Sequence, residues 1–357
     1  MAVAHTDRGV RNCRIFAFTA SQLYDGTPSL MTRRAFANHQ TEERFYSGFV
    51  PPAPAVRGLF NTTNRAEHTR KRKAVSHAFS PKQIVSFEHF IRKDVQLLLD
   101  RWDEFCKAAE EKQTEGPRGL QGYAWLDSLE WMNFFAFDTI GDLAFGSTFG
   151  MLESGKDVAM AEVEDANGNK ETKKCSAVET INLRGESAKD EKGEQMEKRE
   201  LTAEALTQLI AGSDTTSNTS CAILYHLGST PDALKKLQVE LDKDLVNAED
   251  VPLMSDVDRL PYLQGADARQ YRPDRWLDAD YKKKTEKAFN PFSVGPRACV
   301  GRNVALAELS ILIAALIHRY DFVLEEPEKF FQTREGFLKK PIELRIGIKR
   351  RGSARAP

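Results

Sequence analysis

Apolar residues recur at helical spacing along most of the chain, and the runs differ in how much of a helix they would cover. Between Lys82 and about Ala109 the large apolar residues fall three and four apart (Ile84, Phe87, Ile91, Val95, Leu98, Trp102), which predicts one long amphipathic helix. Ser80-Pro81 separates it from an earlier helix that begins near Arg65, and Pro81 sits near the first helical position, where proline is tolerated. Trp125 to Leu143 is rich in aromatics and predicts a mostly buried helix ending near Gly146-Ser147. Leu201 to Leu227 predicts a single helix of about 40 Å. Pro231 opens another, to about Val246, and the strongly apolar run Val304 to Ile317 predicts a buried one.

Between these runs the pattern is polar. Gln113 to Gln121 reads as a linker. Residues 153–199 are strongly charged, above all Ala161–Lys174 and Ser187–Arg199, and predict a solvated or disordered loop. Residues 1–57, with Pro51-Pro52-Ala53-Pro54, predict short strands and a loop, and Phe322–Arg351 short strands and turns. There is no internal repeat. The expected architecture is mainly α with a small β portion, in a single domain over residues 1–357.

Composition narrows the chemistry. At 357 residues, 41% hydrophobic and 29% charged, the chain is long enough for a sizeable core. A net charge of −1 gives no global pull toward nucleic acid or an anionic membrane. Cys13, Cys106, Cys175, Cys221 and Cys299 are odd in number and lack C-x-x-C spacing, which argues against a disulfide framework or zinc site and for a reducing cytosolic exposure. No stretch reaches eighteen apolar residues, and the N-terminus lacks the charged-then-apolar plan of a signal peptide.

Ten residues concentrate the candidate chemistry: Phe292-Ser293-Val294-Gly295-Pro296-Arg297-Ala298-Cys299-Val300-Gly301. Gly295 and Pro296 are turn formers, and Gly301 lets backbone approach something flat. Such a loop, directly before a buried helix, can aim backbone N–H groups at Cys299 and favour its thiolate. A lone thiolate in a rigid loop suits the axial ligand of a haem iron, while the plainer reading is a buried structural cysteine. No C-x-x-C-H occurs, so haem would be held non-covalently.

Two further stretches stand out. Ala211-Gly212-Ser213-Asp214-Thr215-Thr216 puts a glycine, a carboxylate and a hydroxyl in mid-helix. Gly212 costs the helix about 1 kcal/mol relative to alanine and invites an explanation such as close approach of a ligand. Taken alone, the pair Asp214–Thr215 reads equally as a solvent-facing kink or as a proton relay. Glu67-His68-Thr69-Arg70-Lys71-Arg72-Lys73 is a basic helical run in which His68 and Arg72 share a face. It reads as a solvated basic face, or as a nucleic-acid contact that the overall charge does not support.

The pattern F-x-x-G-x-R-x-C-x-G resembles the cysteine-ligand loop of the haem-thiolate monooxygenases, the cytochrome P-450 superfamily. The resemblance implies haem b, with Cys299 as the iron ligand, Arg297 on a haem propionate and Phe292 packed beside the sulfur. It implies that His68 and Arg72 also hold propionates, that Gly212 and Gly301 lie against the cofactor, and that Asp214 and Thr215 are the acid–alcohol pair that passes protons. Arg70, Lys71 and Lys73 would face an acidic electron donor. Electrons would come from NADPH through a separate NADPH-cytochrome reductase, as the chain shows no G-x-G-x-x-G fingerprint. Segments 58–88, 134–151, 200–223, 287–309 and 333–351, about a third of the chain, resemble the fungal benzoate 4-monooxygenase branch. That implies O2-dependent hydroxylation of benzoate to 4-hydroxybenzoate, or of another small aromatic. By family the location would be the cytosolic face of the endoplasmic reticulum membrane. No N-terminal anchor is read in this chain, and the cytoplasm is the alternative.

The chain departs from the superfamily pattern twice. The E-x-x-R pair expected near residues 264–270 is absent, although its partner element stands at Pro273-Asp274-Arg275-Trp276. Arg275 would then lack its ion-pair partners. The helices that roof the substrate pocket, expected near residues 185–200, have only a short polar stretch in their place. The expected fold is therefore an incomplete cytochrome P-450-like one, and the alternative function is a non-catalytic, haem-binding remnant.

Overall fold

The computed structural model describes residues 46, 56–112, 116–157, 159–164, 170–175, 198–246, 248–263, 278, 291–334, 338 and 340–352. The stretches expected to hold the roof helices up to residue 197, the E-x-x-R helix, Arg275 and most of residues 1–57 lie outside these.

Six longer helices and seven short strands carry the described fold. Helix α1 (Arg65–Ser76) starts at Asn64, whose side chain accepts from the Glu67 N–H and caps an end that would otherwise leave donors unpaired. Helix α2 (Pro81–Lys112) buries Ile84, Ile91, Val95, Leu98, Leu99 and Trp102 along one stripe, the face its periodicity predicts. Strand β1 (Ala124–Asp127) leads into α3 (Ser128–Phe145). Trp125 thus lies in a strand, not in the predicted helix. The switch is made by Asp127, whose Oδ1 accepts from the backbone N–H of Leu129 at 3.0 Å and of Leu344 at 3.0 Å. One side chain caps the helix and pins the sheet.

The charged region 153–199 is not all loop. Strands β2 (Ala159–Glu164) and β3 (Lys170–Cys175) form an antiparallel hairpin, with Glu164 opposite Lys170 and Ala159 opposite Cys175. Helix α4 (Lys198–Gly228) then runs through the body, followed by α5 (Pro231–Asp244). Helix α6 (Arg302–Arg319) buries nearly every residue from Val304 to Ile317. It passes directly into β4 (Tyr320–Leu324), and β5 (Thr333–Arg334), β6 (Lys340–Pro341) and β7 (Arg345–Arg350) complete the chain's described end. Strand β7 pairs with β1 on one side and β4 on the other, with Ile346 and Ile348 fully buried in the centre. β5 and β6 form a separate hairpin.

The architecture is mainly helical with small sheets, as the pattern predicts. Helices α2, α3, α4 and α6 share one core with the three-stranded sheet. At the end of α6, Asp103 accepts from Arg319 Nη2 at 2.5 Å and from the Tyr320 hydroxyl at 2.8 Å, tying α2 to the turn into β4. Among the described residues no helix is long and apolar enough to cross a membrane.

Candidate functional site

The loop before α6 folds back on itself through its backbone. The Cys299 N–H donates to the Phe292 carbonyl at 2.8 Å, and the Ala298 N–H to the Gly295 carbonyl at 3.0 Å. Gly295 takes φ +76°, a left-handed conformation that glycine adopts without a side-chain penalty, so the turn depends on that residue. Ala305 N–H then donates to the Gly301 carbonyl at 3.0 Å and starts α6.

The loop presents Cys299 at its C-terminal end, directly before α6. The residue is exposed, yet desolvation by surrounding protein is the largest influence on its thiol. The backbone N–H groups of Gly301 and Arg302 bond toward the sulfur, and the positive charges of Arg72 and Arg302 also favour its ionised form. Desolvation outweighs them, and the thiol lies above its ordinary range. Burial of the sulfur thus opposes the ionised form that the loop's N–H groups and the two arginines favour. An iron ion would supply the missing positive charge, and the donor set of one accessible sulfur with two inward N–H groups fits a thiolate-ligated haem.

The cations of α1 divide between two sides. Arg72 donates from Nη1 to the Ala298 carbonyl at 2.7 Å, so it braces the cysteine loop directly. His68, one turn earlier, is buried. Arg297 donates from Nη2 to the Thr62 carbonyl at 2.7 Å and lies 4.8 Å from the centre of the Tyr46 ring. Phe292 is half-buried against the core, with Arg302 at 6.0 Å from its ring centre. Arg72 and Arg297 thus tie the loop to α1 and to Thr62. Lys71 does not face outward to a docking protein: it is buried, with its Nζ 2.5 Å from Glu200 Oε1 and 2.8 Å from Glu204 Oε1. Arg70 pairs with Glu67 and also with Glu200. The expected docking face is therefore reduced, because carboxylates of α4 take up Arg70 and Lys71.

On α4, Thr215 donates from Oγ1 to the Ala211 carbonyl at 2.5 Å, and Asp214 pairs with Lys340 of β6 at 2.6 Å. Gly212 faces a helix, not an open space. A Cβ there would lie 3.0 Å from Ile140 Cδ1 of α3, so the glycine permits the close crossing of α3 and α4.

One residue of the site was missed. Thr216, next to Thr215, donates from Oγ1 to Glu308 Oε2 at 2.8 Å. Glu308 is buried, and burial pushes its carboxyl up to about 8. Asp94 of α2 adds to that effect and is itself raised to about 7, mainly by burial. The signal was available: Glu308 is the lone acid in the apolar run from Val304 to Ile317. A cavity of about 390 Å3 lies beside Thr62, Lys71 and Glu200, but neither Cys299 nor Thr215 lines it, and the chemistry above is not centred there.

Comparison with known proteins finds similarity over most of the chain. The cytochrome P-450 family model matches residues 29–174, 156–266 and 266–348. The chain is 36% identical to a benzoate 4-monooxygenase (bphA) of Aspergillus niger, over 87% of this chain and 80% of that protein. It is 24% identical to a cytochrome P-450 monooxygenase (pkfB) of Emericella nidulans, over 82% of this chain and 75% of the other. It is also 25% identical to a trichothecene C-4 hydroxylase of Trichoderma arundinaceum, over 74% and 71% respectively.

Proposed function

The chain belongs to the cytochrome P-450 family, and from that premise we propose that it is a haem-dependent hydroxylase of small aromatic acids that converts benzoate to 4-hydroxybenzoate. The observation that carries the substrate is the 36% identity to a benzoate 4-monooxygenase across most of both chains. In this reading residues 1–357 form one domain, and the redox partner is an NADPH-dependent reductase. By family, the protein works at the cytosolic face of the endoplasmic reticulum membrane.

Cys299 is the residue that would hold the iron. Its sulfur already has two N–H donors aimed at it, from Gly301 and Arg302, which would stabilise the ligand's negative charge. His68, Arg72 and Arg297 would hold the propionates by charge-assisted hydrogen bonds, and Phe292 would pack beside the sulfur. Arg72 does so from a position that also steadies the Ala298 carbonyl. Gly301 leaves open space on its flank: a Cβ added there would meet nothing nearer than the Phe79 ring, at 3.9 Å. When bound, haem supplies the activation of dioxygen and the transfer of one oxygen atom to the aromatic ring.

The protein's part in the chemistry is to hold and move protons. Thr215 keeps its hydroxyl hydrogen on the Ala211 carbonyl and, on rotation about χ1, can offer it into the site. Asp214, the adjoining residue, is mostly buried but still partly open to solvent and is steadied by Lys340, where it can receive a proton from solvent and return it through Thr215.

The test is product analysis. Purified, haem-loaded protein is incubated with benzoate, NADPH, oxygen and a reductase, and the products are separated chromatographically. The proposal expects 4-hydroxybenzoate. Haem-loaded protein that gives no product, or one hydroxylated at another ring carbon, contradicts it.

A further inference from the structure

We propose that Lys340 is the anchor for the substrate's carboxylate. Helix α4 is buried along most of its length, but one stripe of its surface is open. Ile210 is 56% exposed, Ala211 is exposed, and Asp214 and Thr215 follow one turn later on the same side. The stripe therefore offers an apolar half, Ile210 and Ala211, next to a polar half, Asp214 and Thr215.

An aromatic ring suits the first half, but a carboxylate does not suit the second. Asp214 would repel it unless a cation stood between them. Lys340 is that cation. It reaches α4 from β6, and its Nζ lies 2.6 Å from Asp214 Oδ2. The side chain is still half exposed, and an ammonium has three donors, of which Asp214 needs one. The remaining donors can take a second carboxylate, giving a carboxylate–ammonium–carboxylate arrangement with the ring laid toward Ile210. Lys340 also belongs to the segment 333–351, whose sequence points to the benzoate branch. Its role is specificity: it positions the acid and takes no part in bond making.

This inference rests on the reading that the chain acts on an aromatic acid, and its test separates the two. Binding of benzoate and of its neutral isostere benzamide to the haem-loaded protein is measured by titration calorimetry, for wild type, K340Q and K340R. Lys340 is exposed, so neither substitution disturbs the core. The expected result is that K340Q weakens benzoate binding about tenfold or more and leaves benzamide unchanged, while K340R keeps most of the benzoate affinity. Wild type that binds benzoate and K340Q that binds it equally overturns the anchor alone. An equal loss of benzamide in K340Q also overturns it, because the effect is then not one of charge. Wild type that binds no aromatic acid overturns the substrate reading and the anchor together.

Discussion

Thr216 and Glu308 join the two helices that carry the candidate chemistry, through a buried hydrogen bond of 2.8 Å. Thr216 adjoins Thr215 on α4, and Glu308 lies on α6, the helix that begins just after Cys299. A shift of either helix would stretch this bond, so it fixes the spacing between the cysteine loop and the Asp214–Thr215 turn.

Glu308 gives the protein a pH dependence whose sign follows from burial. Its carboxyl is raised from 4.5 to about 8, so the folded protein holds this proton more tightly than the unfolded chain. The stabilisation is complete below pH 4.5 and is lost as the pH rises toward 8. E308Q removes the titration while keeping a partner for Thr216. Over that window wild type should lose up to ~1.4 kcal/mol per pH unit relative to E308Q. Urea denaturation of both proteins at several pH values reads this difference. Parallel stability curves would show that Glu308 does not titrate as described.

Lys71 holds α1 against α4. Its ammonium is buried between Glu200 and Glu204, and Glu204 also accepts from the Leu59 N–H at 2.9 Å. K71M should cost on the order of 3 kcal/mol, because it leaves a buried carboxylate without its cation. Adding E204Q should recover part of that loss, since the uncompensated charge is then removed. Denaturation of the single and double variants decides it, and strictly additive losses would contradict the coupling.

Gly212 is predicted to matter for packing. G212A places a methyl group 3.0 Å from Ile140, and overpacking should outweigh the better helix propensity by about 1 kcal/mol. I140V in the same protein should relieve most of it. A melting temperature for G212A equal to or above that of wild type would show that α3 and α4 have room to spare.

The long helices were legible in the sequence because burial on one stripe, or all round, leaves a periodic trace. Helices α2, α4 and α6 run within a few residues of their predicted limits. Strand β1 was not, since Ala124–Asp127 is only four residues long and runs straight into the aromatic helix that follows. The helix-capping aspartate at Asp127 was the one local sign of the break. The β2–β3 hairpin was hidden by its charge, because composition reports solvation and not register. At the site, the loop motif located Cys299, and spacing put His68 and Arg72 on one face. The burial of Lys71 could not be read, since its partners Glu200 and Glu204 lie some 130 positions away in the chain.

The central claim is that Cys299 binds haem iron as a thiolate. The most direct measurement is the visible spectrum of the purified, haem-supplied protein, reduced under carbon monoxide, beside that of C299S. A strongly red-shifted Soret band in wild type, absent in C299S, is the predicted result. A wild-type protein that takes up no haem, or whose band is unshifted and matches that of C299S, would contradict the account.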